Sequence, residues 1–74
     1  MEYVIIIHRA EEGGYWCEVP ALEGCFAQGE TVEELLGAAR DAIASHIEAL
    51  VESGQAVPED ADIMIATVKT RQVA

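Results

Sequence analysis

Fourteen acidic against four basic residues in a chain of 74 give a formal charge of -10 with histidine neutral. That balance opposes approach to a nucleic-acid backbone, so direct nucleic-acid binding is not expected. Two cysteines are too few for a disulfide framework, no signal peptide is legible, and no run approaches the ~20 apolar residues that span a bilayer; a cytoplasmic protein with no membrane contact is the expectation.

The length permits one domain, residues 1–74, with little margin. Ordering each residue costs roughly 1.5 kcal/mol, which apolar burial in so short a chain barely offsets, so stabilisation from outside is expected.

Within Met1 to Arg9, Tyr3, Val4, Ile5, Ile6 and Ile7 follow one another. A strand here places large apolar groups on both faces, which predicts a central strand. Glu11, Glu12, Gly13 and Gly14 then make a polar turn ending in two residues that tolerate positive φ. Tyr15 to Val19 and Cys25 to Gly29 read as two further strands, joined by a Pro-Ala-Leu-Glu-Gly connector.

Thr31-Val32-Glu33-Glu34 is a capping box: the Thr31 hydroxyl accepts from the first free N–H groups of a helix while Glu34 reaches back to the cap. From there Val32, Leu35, Leu36, Ala39, Ile43, Ile47 and Leu50 recur at helical spacing, with Glu33, Glu34, Arg40, Asp41, Glu48 and Glu52 on the remainder. Gly54 and Pro58 close the helix, predicted over Val32 to Ser53. Replacing Leu36 or Ile43 with Asp is expected to unfold the domain.

Asp62 to Val68 alternates weakly and predicts a fourth strand, apolar on both faces, while Lys69 to Ala74 reads as a frayed tail. The order is βββαβ, α+β in class: an antiparallel three-stranded meander, a fourth strand beside the first, and one long helix on one face. The uncovered face is too apolar for a monomer, so a homo-oligomer, dimer or tetramer, is expected.

Chemistry-bearing residues are sparse. His8 and His46 read as packed or rim histidines, and Cys17 and Cys25 as small buried hydrophobes, since neither cysteine lies near a helix N-terminus or a basic cluster. Glu2, Glu18 and Asp62 are the carboxylates to weigh as Mg²⁺ ligands for phosphodiester cleavage, but their scatter predicts no converging site. No catalytic residue, metal site or cofactor is assigned, and the chain reads as a binding module rather than an enzyme.

Gly14-Tyr15, the run Val19-Pro20-Ala21-Leu22-Glu23-Gly24-Cys25, and Gly29-Glu30-Thr31-Val32-Glu33-Glu34 together resemble the HicB-like antitoxin family, in its short form with the N-terminal domain only. The resemblance covers most of the chain, from Tyr3 to Pro58. It implies a partial ribonuclease H-like fold that binds HicA, a small mRNA-cleaving toxin, and covers its active site. An anionic module suits a basic toxin, and Glu33, Glu34, Asp41 and Glu48 are the candidate partner-binding residues. The alternative is a stand-alone oligomeric scaffold or small-ligand-binding protein of the same fold without a toxin partner.

Overall fold

The computed structural model describes residues 1–72. Three strands, β1 (Ile6–Arg9), β2 (Tyr15–Glu18) and β3 (Phe26–Gly29), precede a single helix, α1 (Val32–Glu52). They form an antiparallel sheet in the order β1-β2-β3, with Ile7 opposite Cys17 and Cys17 opposite Ala27. Because side chains alternate across a pleat, Ile7, Cys17 and Ala27 face one side, while Ile6, His8, Trp16, Glu18, Phe26 and Gln28 face the other.

The helix packs over β3 and β2. Its N-terminal half buries Leu35 and Ala39 against Cys17, with Ile5, Tyr15 and Ala27 at the margin. Its C-terminal half meets a second cluster. There Ala42, Ile43, Ile47 and Leu50 pack on Val19, Leu22 and Cys25, so the connector between β2 and β3 forms the floor of the second half of the core. Three backbone hydrogen bonds shape that connector: Val19 N–H to Cys25 O, Leu22 N–H to Val19 O, and Cys25 N–H to Leu22 O. Leu22 is thereby turned inward and fully buried.

Both helix ends are built by their sequence. At the start, Thr31 Oγ1 accepts from Glu34 N–H at 3.1 Å, while Glu34 Oε2 accepts from Glu30 N–H at 3.0 Å, one residue earlier than a reciprocal box requires. At the end, Gln55 N–H donates to Leu50 O and Gly54 N–H to Val51 O, a Schellman closure that needs Gly54 at φ +76.

Three expectations are corrected. Asp62 to Val68 forms no strand, so β1 is an edge strand rather than a central one, and of the stretch Met1 to Arg9 it takes only Ile6–Arg9. The segment is held by no backbone ladder, and its Met64 side chain is 94% exposed. Leu36, expected in the core, is 47% exposed because the helix lies over β2 and β3 and leaves the β1 side bare; Leu35 is the buried leucine. Of the tail Lys69 to Ala74, residues 73–74 lie outside the described residues.

Candidate partner-binding surfaces

Glu34, Asp41 and Glu48 are seven residues apart. Two helical turns make seven residues nearly a whole number of turns, so these carboxylates line one ridge at intervals of roughly 10 Å, with Glu33 on the flank about 100° around the helix from Glu34. All four are exposed, and the ridge lies opposite the side of α1 that buries Leu35 and Ala39. Among the described residues none makes an ion pair; the sole such geometry is His8 Nε2 to Glu18 Oε2, 2.9 Å apart. The four are not equivalent. Glu34 is committed to Glu30 N–H and, with Glu33, sits in the first turn, where negative charge complements the helix dipole. Asp41 and Glu48 make no side-chain hydrogen bond or ion pair among the described residues.

A second acidic feature is legible only in three dimensions. The turn after β1 and the start of α1 enclose a cleft of about 550 Å³, where Glu12, Glu30 and Glu34 meet Tyr15 and Trp16. Glu12 and Glu30 escaped sequence reasoning because they lie on separate turns. The signal available was the pair of glycines at 13 and 14, whose positive φ lets the first turn fold back toward Gly29.

On the open sheet face, Trp16 stacks on His8 with ring centroids 4.3 Å apart and meets Phe26 at 6.3 Å. Phe26 is 60% exposed, so an aromatic surface is presented to solvent. His8 thus stands at a rim, stacked and hydrogen-bonded to Glu18. Glu18 is engaged by that histidine, and no group of three potential metal ligands converges among the described residues, so Glu2, Glu18 and Asp62 are not brought together. Both thiols are buried; burial pushes Cys17 and Cys25 above the ordinary thiol pKa, and a nearby Cys17 thiolate raises Cys25 further. No helix among the described residues is long and apolar enough to cross a membrane.

A family model described as the HicB-like antitoxin of bacterial toxin-antitoxin systems matches residues 3–72. The chain belongs to the HicB-like antitoxin family. A UPF0150 protein of Thermoplasma acidophilum is 43% identical over 60 residues, covering 81% of this chain and 87% of that one. Antitoxin HicB 1 of Photorhabdus laumondii is 34% identical over 58 residues, covering 78% of this chain and 37% of that protein. Among solved structures, a chain of the HicA3 and HicB3 toxin-antitoxin complex superposes with a TM-score of 0.71 at 36% identity, covering 84% of this chain and 72% of that one. The HicB-like module is a binding module of antitoxins rather than an enzyme, and its three antiparallel strands and helix match those of its structural neighbour.

Proposed function

We propose that the protein neutralises a small basic HicA-like mRNA-cleaving toxin by laying its acidic helix ridge over the toxin's active site. The observation that carries this reading is the row of exposed carboxylates Glu33, Glu34, Asp41 and Glu48, with no cationic partner of its own among the described residues. An enzyme that cleaves RNA needs a positive surface for its substrate, and an anionic ridge competes for that surface. The cleft at Glu12, Glu30 and Glu34 extends the negative field around the helix start. Self-association through the open sheet face at Trp16 and Phe26 leaves the ridge free on the opposite side of the molecule, in a cytoplasmic homo-oligomer that does not bind nucleic acid directly.

Co-expression with the small basic protein encoded beside the gene tests this reading. The wild-type chain restores growth to cells expressing the toxin, and the purified pair separates as salt is raised. The combined change Glu33→Lys, Asp41→Lys and Glu48→Lys abolishes rescue while the free protein stays folded, since surface changes are each worth under about 0.5 kcal/mol. Rescue by the triple variant would place the contact elsewhere. A stand-alone scaffold or small-ligand binder is favoured by one feature, the cleft that joins Tyr15 and Trp16 to three carboxylates. Quenching of Trp16 fluorescence by a small cation, with no toxin partner found, would support that alternative.

A further inference from the structure

On the side of β1 away from β2 the sheet stops, leaving a row of backbone N–H and C=O groups without ladder partners. Between the leading segment of the chain and the helix, a groove of about 440 Å³ opens, lined by Tyr3, Ile5, Leu36, Arg40 and Ile43 among others. Leu36, which lines it, is exposed, and so is Ile7 on the helix side of β1. This is where a helical crossover from β3 delivers a strand parallel to β1.

The chain returns to this place and then leaves it. Tyr3 Oη donates to Pro58 O, and Asp60 Oδ1 accepts from Val4 N–H at 2.9 Å. The same carboxylate oxygen accepts from Ala61 N–H at 3.0 Å, turning the backbone at the mouth of the groove. Beyond it runs Asp-Ile-Met-Ile-Ala-Thr-Val, rich in the branched residues that favour strands, with Ile65 74% and Val68 82% exposed. An open apolar edge and an unpaired apolar strand segment are thus both present in one chain.

We propose that Asp62–Val68 is a donated strand: in a two-fold dimer each copy lays this segment along the β1 edge of the other, covering exposed Ile7 and the groove at Leu36 and Ile43. The occupant is a second copy because each chain carries one vacant edge and one unpaired segment, and a two-fold axis satisfies all four with nothing left over. Two chains of -10 repel, and Lys69 and Arg71, two of the four basic residues in the chain, directly follow the segment, so the exchange offsets part of that repulsion where the chains meet. One side of the donated strand then adds to the helix-covered core, and the other widens the open face that bears Trp16 and Phe26.

Sedimentation equilibrium with two complementary variants tests the exchange. Ile65→Asp spoils the donor, and Leu36→Glu spoils the acceptor at a position exposed in the single chain. The wild-type chain is expected to form the exchanged dimer, which the open sheet face can pair into a tetramer, and each variant alone to lose the exchange step with a Kd raised at least about tenfold. An equimolar mixture is expected to recover dimer, because the intact segment of one chain meets the intact groove of the other. A monomeric wild type, dimerisation indifferent to both changes, or a mixture behaving as the sum of its parts would overturn the proposal; the last outcome means that each segment closes on its own chain. Met64→Asp and Ile7→Lys repeat the test at two exposed positions if circular dichroism shows the first pair to be unfolded. No toxin enters the experiment, so its outcome is independent of the proposed antitoxin activity.

Discussion

A methyl group at Gly29 would lie 2.6 Å from Leu35 N and 3.0 Å from Leu35 Cα, both backbone atoms that cannot swing aside. Gly29→Ala therefore pushes β3 off the helix start and is expected to cost about 1–3 kcal/mol, read as a lower denaturation midpoint. Gly37 gives the opposite sign. It lies inside α1 with open space around its would-be Cβ, so Gly37→Ala is expected to stabilise by about 0.5–1 kcal/mol in the same assay. The thiols add a pH dependence of definite direction. Burial holds Cys17 and Cys25 protonated above the ordinary value of 9.0, so their contribution to stability is fully present below that pH. It is lost as pH rises through the higher folded-state values. Alkylation by iodoacetamide is accordingly expected to be far slower in the native protein than in denaturant at pH 9, and near-equal rates would contradict the burial.

At the scale of elements, the helix separates two neighbouring leucines. Leu35→Asp buries a charge at a position with no solvent access and is expected to abolish folding, whereas Leu36→Asp leaves the far-ultraviolet circular dichroism of the single chain intact. Thr31→Ala removes the acceptor of Glu34 N–H and is expected to lower stability by about 1 kcal/mol. The helix, its cap and its glycine stop were legible because each is a local device: a hydroxyl, a glutamate three residues on, and a glycine after the last turn. Leu36 was misassigned because a 3.6-residue period identifies a stripe but not which of its edges the sheet covers. The strand expected over Asp62 to Val68 had the right residue types, yet a ladder needs a neighbour, and pairing is a long-range property that alternation does not encode. For the same reason the run of isoleucines identified β1 as apolar on both sides without revealing that one of its edges is open.

Over the whole molecule, a charge of -10 acts in two opposed ways. Self-repulsion weakens the compact state, so added sodium chloride is expected to raise Tm; the same screening weakens association with a cationic partner. Measuring both across one salt series separates them, and a Tm that fell with salt would show that internal ion pairs dominate instead. The acidic ridge was legible from the heptad spacing of Glu34, Asp41 and Glu48, because a single helix fixes their geometry. The cleft that adds Glu12 and Glu30 was not, since it depends on where two turns meet after folding.

The connector under the distal half of α1 gives the architecture a single vulnerable point. Glu23 and Gly24 are exposed at its tip, while Leu22 and Cys25 on either side are sealed beneath Ile43, Ile47 and Leu50. One cut by a glutamate-specific protease after Glu23 would sever two anchors from each other and strip the distal half of the rod of its support, so resistance of that one bond to digestion serves as a gauge of the entire fold.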